Sequence, residues 1–161
     1  MENFLKIENG VLVRCNKAPQ GHIVIPDRVT EIGERAFSFC TGLKSIEIPN
    51  SVTEIGKSAF SRSGLTSIEI PNSVTEIGKG AFYGCENLRE IHCRIEHPGK
   101  VEFDCAFNDI DRSLITVYVP VGTGYEYRHH PVFKGFKKIV TEKALWKAMM
   151  ALIHGAHRDP K

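Results

Sequence analysis

The chain has 161 residues, 42% hydrophobic and 25% charged, with a formal net charge of +2 and a pI near 8.3. That length suffices for one domain with its own core, and the charge is too mild to argue for nucleic acid or a membrane surface. No stretch approaches the roughly 18 apolar residues that a bilayer-spanning helix needs.

The opening, MENFLKIENG, has neither a basic nor an apolar leader segment and enters a strand at once. As written it predicts a cytoplasmic protein, or a surface or secreted one if a signal has been trimmed. Asn9-Gly10 in this opening is a hairpin turn signal.

Repetition begins next. Ile25–Phe37 reads IPDRVTEIGERAF, Ile48–Phe60 reads IPNSVTEIGKSAF and Ile70–Phe82 reads IPNSVTEIGKGAF. The last two differ only at Ser58 against Gly80. Phe37, Phe60, Phe82 and Phe107 follow one another at steps of 23, 22 and 25 residues. Self-similarity at this period marks a solenoid of stacked coils. Leu43, Leu65, Leu88 and Leu114 keep similar steps and open the strands Leu43-Lys-Ser-Ile46-Glu-Ile48, Leu65-Thr-Ser-Ile68-Glu-Ile70, Leu88-Arg-Glu-Ile91-His-Cys93 and Leu114-Ile-Thr-Val117-Tyr-Val119. Period-two alternation turns Ile46 and Ile48 inward and Ser45 and Glu47 outward. Gly33, Gly56 and Gly78 recur once per coil and predict a turn with positive φ.

This pattern resembles the BspA-like leucine-rich repeats of bacteria, from about Ile23 to Val119. The resemblance implies a β-dominated α/β solenoid, a right-handed superhelix with one parallel sheet. It would carry an N-terminal hairpin cap over 1–22, about four repeats over 23–119 and a C-terminal cap over 120–140; residues 141–161 do not belong to the repeat and read as a terminal helix. The resemblance also implies a binding or adhesion module without catalytic machinery. The second coil is one residue short, with Ser61-Arg62-Ser63-Gly64 in place of the turns bearing Cys40 and Cys85. The last coil is longer, loses the V-x-x-I-G signature and predicts a protruding loop around His97-Pro98-Gly99.

Five cysteines, an odd number, fit thiols better than a disulfide framework. The column of Ile48 and Ile70 places Cys93 in the interior, the family resemblance implies the same for Cys40 and Cys85, and Cys15 and Cys105 are left free to be exposed. His92, Cys93, His97 and Cys105 have no metal-ligand spacing, and no nucleophile elbow or phosphate loop occurs. Neither a metal nor another cofactor is expected.

Binding is expected on the outward strand positions. One column reads Val24, Glu47, Glu69, His92, Tyr118; its neighbour reads His22, Ser45, Ser67, Glu90, Thr116. Lys44 and Arg89 are expected to offset the like charges of Glu47 and Glu69. An acidic strip of Glu47, Glu69 and Glu90 leading to His92 and Tyr118 suits a basic segment of a protein partner. In the tail, Thr141 can cap a helix whose apolar face holds Leu145, Trp146, Met149, Leu152 and Ile153. That face either closes the final coil or, with Trp146 at its centre, joins two copies through residues 141–159. The second use would make the chain an assembly protein.

Overall fold

The computed structural model describes residues 4–16 and 18–142, together with Leu152. An antiparallel hairpin, β1 (Leu5–Glu8) and β2 (Val11–Cys15), opens the chain, with Asn9 and Gly10 at φ 50° and 80° in its turn. Each coil then supplies two strands. Longer strands β3 (Gly21–Val24), β5 (Leu43–Glu47), β7 (Ser67–Ile70), β9 (Glu90–Cys93) and β11 (Thr116–Val119) alternate with shorter ones. The short strands are β4 (Glu31–Ile32), β6 (Glu54–Ile55), β8 (Glu76–Ile77) and β10 (Glu102–Phe103). A six-residue helix, α1 (Gly124–His129), and β12 (Lys138–Thr141) close the described fold.

In place of the one parallel sheet expected, the strands form three sheets. The Glu-Ile pairs stack into a six-stranded sheet in the order β1-β2-β4-β6-β8-β10. The longer strands form a four-stranded sheet β12-β11-β9-β7 and a two-stranded sheet β3-β5. No ladder joins β5 to β7, although Thr66 N–H reaches the Lys44 carbonyl at 2.9 Å where the two strands begin. The interruption falls at the coil that lacks one residue between Phe60 and Leu65.

Nearly every repeated residue has a packing reason. Phe37, Phe60, Phe82 and Phe107 stack face to face, with centroids 5.4, 5.4 and 5.3 Å apart and planes within 8°. Such offset stacks add to the area they bury. Both ends of this ladder are covered. Cys15 N–H donates to the Ala36 carbonyl, as Phe37 N–H does to Ala59 and Phe60 N–H to Ala81, so Cys15 takes the next place in the phenylalanine column. At the other end Phe133 and Phe136 pack on Phe107. Hydroxyls tie coil to coil: Ser51 to the Val29 carbonyl and Ser73 to Val52, each at 2.7 Å, with Thr53 and Thr75 reaching the coil before.

Two expectations need correction. Gly33, Gly56 and Gly78 do not have positive φ. Their Cβ atoms would instead meet the backbone of the preceding coil, at 2.8 Å from Leu12 O, 2.8 Å from Glu34 N and 2.6 Å from Lys57 N. Glycine is required there by close approach of two backbones. The left-handed positions lie two residues later, at Arg35, Ser58, Gly80 and Cys105, with φ of 57°, 54°, 63° and 48°. The one difference between the twin coils thus falls where glycine has a conformational advantage.

Leu114 is the second correction. Leu43, Leu65 and Leu88 are fully buried, whereas Leu114 is 50% exposed and Ile115 is buried in its stead. A 3₁₀ turn, Arg112–Leu114, shortens the approach to β11, so Ile115 reaches the core two residues before Val117. Leu88 stands three residues before Ile91.

Cys85 and Cys93 are buried as expected, while Cys40 is only half-buried; Cys15 is half-buried and Cys105 exposed. The proposed tail helix falls outside the described residues except at its ends. Thr141 is the last residue of β12, and Leu152 is 76% exposed, unlike a residue packed on the final coil.

Candidate functional site

The outward columns form as the alternation requires. His22 pairs with Ser45 and Val24 with Glu47 between β3 and β5. Ser67 pairs with Glu90 and Glu69 with His92 between β7 and β9; Glu90 pairs with Thr116 and His92 with Tyr118 between β9 and β11. The sheet then continues to β12, which adds Lys138 beside Thr116 and Val140 beside Tyr118. Parallel strands bring such residues to about 4.8 Å, so each column runs as two rows of neighbours, interrupted between β5 and β7.

His92 and Tyr118 use that spacing to stack, with centroids 4.6 Å apart and planes 8° apart. His92 Nε2 also lies 3.2 Å from Glu90 Oε2. Glu69 is held by Arg94, whose Nε donates to Oε1 at 3.0 Å, and Arg94 Nη1 donates to Glu142. Within the two-stranded sheet, Glu47 Oε2 lies 3.8 Å from His22 Nε2, while His22 Nδ1 meets Ser45 Oγ at 2.7 Å. The cation that offsets this strip is therefore Arg94, not Lys44 or Arg89. Arg89 gives its guanidinium to the carbonyls of Glu86 and Leu88. Arg94 was available as a signal, because it interrupts the column Pro26, Pro49, Pro71, Pro120. Trp146 lies outside the described residues.

Along the seam between β5 and β7 an open depression of about 320 Å³ forms toward the C-terminal ends of the strands. Val24, Ile48, Pro49 and Pro71 supply its apolar wall, and Asp27, Glu47, Glu69 and Arg94 its charged groups.

The opposite, six-stranded sheet carries a feature absent from the expectations above. Glu31, Glu54, Glu76 and Glu102 pair in consecutive register, a row of four carboxylates. Partial burial, then the Glu54 and Glu76 charges, raise the Glu31 carboxyl above its usual range. Its recurrence in the V-T-E-I-G repeats was the signal. Behind the strand face, burial pushes the Cys93 thiol up to about 11, and the Tyr127 hydroxyl, 3.1 Å from its sulfur, donates to the Ile95 carbonyl at 2.6 Å. These groups are sealed in the core, where they position β9 rather than face a ligand. Among the described residues no group of three or more His, Cys, Asp or Glu is placed to hold a metal ion.

Stacked coils with a strand face of this kind define a leucine-rich-repeat solenoid. The model of the BspA type leucine rich repeat region matches residues 6–120 in six copies, and the chain belongs to that family. Six copies replace the four or so expected, and the match reaches into the hairpin, where β2 pairs in parallel with β4 as a coil would. Proteins built from these repeats are typically protein-interaction or surface modules.

Similar solved structures include a leucine-rich repeat protein of Bacteroides ovatus, at 24% identity and a TM-score of 0.49 over 74% of this chain and 30% of that one. A leucine rich cell surface protein of Faecalibacterium prausnitzii is similar at 23% identity and 0.44, over 76% and 38%. A leucine rich repeat protein of T. pallidum is similar at 19% identity and 0.31, over 85% and 86%. The chain thus spans about a third of the length of the first two. No curated protein matches the chain.

Proposed function

We propose that the chain is a non-catalytic recognition module that docks a protein partner on its long-strand face. The observation that carries this reading is the His92–Tyr118 stack, two aromatic rings fixed side by side on an outward face. Aromatic groups held rigidly lose little entropy on binding and are frequent anchors of interfaces. The surrounding charges, Glu47, Glu69 and Glu90, favour a basic partner segment. Arg94 neutralises Glu69 in part, so that attraction rests on Glu47 and Glu90.

The test is photo-crosslinking from a reactive residue at Tyr118, with one at Glu54 on the opposite sheet as control. A partner captured from 118 and not from 54 should bind a Tyr118→Ala chain at least tenfold more weakly. Equal capture from both positions would overturn the reading.

Assembly through the tail is the second reading, and the exposure of Leu152 favours it. A sedimentation coefficient that falls on dilution, and does not for a chain ending at 142, would establish it.

A further inference from the structure

The seam between β5 and β7 is the one place where the long-strand face loses its ladder, and a depression opens there among the described residues. Its wall is apolar at Val24, Ile48, Pro49 and Pro71. Val24 is 59% exposed in a column that otherwise holds Glu, His and Tyr up to Val140 at its far end. The charges around it are unequal. Of the carboxylates, Glu69 is taken by Arg94, and Arg94 is further engaged by Glu142. That leaves Asp27 and Glu47 to set the sign of the site, and His22 at 3.8 Å from Glu47 is a cation only when protonated. An anion would meet two carboxylates and an arginine whose Nε and Nη1 are already engaged. An apolar side chain would leave those carboxylates to be desolvated without a partner.

We infer that this depression receives a single basic side chain, Lys or Arg, from the partner protein. The aliphatic stem lies against Val24, Ile48, Pro49 and Pro71, and the charged head lies at Asp27 and Glu47. Lys and Arg are built for such a site, since their methylene stems cover apolar surface while the head stays at a polar rim. The inference rests on the reading of the long-strand face as the docking surface. It names which part of that face reads charge, leaving the His92–Tyr118 stack as a separate contact.

The experiment is an amide chemical-shift titration of the full chain with acetyl-Gly-Lys-Gly-amide, using the norleucine analogue as control. Norleucine keeps the stem and lacks the ammonium. Saturable shifts confined to residues 24–27 and 47–50, seen with lysine only, are expected. An Asp27→Asn/Glu47→Gln chain should bind at least fivefold more weakly, and both residues are exposed, so the fold tolerates the change. The absence of saturable shifts, equal shifts with norleucine, or shifts that survive the double substitution would overturn the inference. Shifts centred on the Glu31–Glu102 row would overturn it as well. Shifts centred on His92 and Tyr118 would also overturn it while leaving the docking face intact. Failure of that broader reading would show separately, in the crosslinking from position 118.

Discussion

Arg94 donates from Nε to Glu69 Oε1 at 3.0 Å and reaches Glu142 with Nη1. One side chain thereby connects β7 to the residue that follows β12, across the whole four-stranded sheet. All three side chains are partly exposed, so the contribution is discounted for solvent screening. Arg94→Ala should lower stability by no more than about 1 kcal/mol. Urea melts at low and at high salt measure this, and the difference between the two chains should shrink in salt. A loss of several kcal/mol at high salt would mean that Arg94 acts through packing instead.

The phenylalanine ladder is a different matter. Phe60 is fully buried and stacks on Phe37 and Phe82 alike. Phe60→Ala should cost about 3–5 kcal/mol, from lost transfer energy and the cavity left behind. Coils in a short stack rely on their neighbours, so thermal melting should reveal a largely unfolded chain at room temperature. Phe60→Leu, which keeps most of the volume, should remain folded with a lowered melting temperature.

Glycine positions separate two kinds of constraint. At Gly56 an added Cβ would sit 2.8 Å from Glu34 N and 2.9 Å from Ile32 O, so the coils must part to admit it. At Gly80 the nearest atom is Tyr83 Cβ at 3.5 Å, and the matching residue in the previous coil, Ser58, already tolerates φ 54°. Gly80→Ser should cost about 1 kcal/mol, the usual penalty for a side chain in the left-handed region. Gly56→Ala should cost more, and chemical denaturation of the two chains compares them directly.

How far this was legible in the sequence depends on range. Residues that repeat with one period, such as Phe37, Phe60 and Phe82 or Ile46 and Ile68, announce their columns, because the coils are equivalent and alternation fixes which side faces in. Strands of two residues, such as Glu54–Ile55, show no alternation, so the second sheet and its carboxylate row went unread. Gly56 looked like a turn because its constraint comes from a backbone 22–24 residues away. Leu114 failed because an aperiodic coil offers no template, and Ile115 beside it is as apolar. The Arg94 clamp joins residues 25 and 48 positions apart, which no local pattern records.

Thiol reactivity should follow burial. Cys105 is exposed, whereas Cys85 and Cys93 lie in the core. Burial pushes the Cys93 thiol up to about 11, and burial with the nearby Cys15 does the same for Cys40. At pH 8 roughly one thousandth of such a thiol is thiolate, the form that reacts. Timed alkylation with mass mapping should label Cys105 first, Cys40 slowly, and Cys85 and Cys93 only on unfolding. Early labelling of Cys93 would show that β9 opens readily.

The carboxylate row supplies a prediction in pH. Glu31 has a raised carboxyl pKa in the fold, through partial burial first and the charges of Glu54 and Glu76 next. A raised acid binds its proton more tightly when folded than when unfolded. Its destabilising effect is therefore absent below the unfolded value near 4.5, grows as pH rises through it, and is complete above the folded value. Glu31→Gln removes one charge from the row and should stabilise the chain at pH 7 by about 0.5 kcal/mol, in the range for like charges side by side on a sheet. The gain should shrink as the pH falls through 4.5 and the Glu31 carboxyl takes up its proton. It should also shrink in 1 M salt, where screening acts over about 3 Å. Urea melts of the two chains at pH 7 and pH 4 decide it: a Gln chain no more stable than its parent at pH 7 would show that the row is fully solvated and costs the fold nothing.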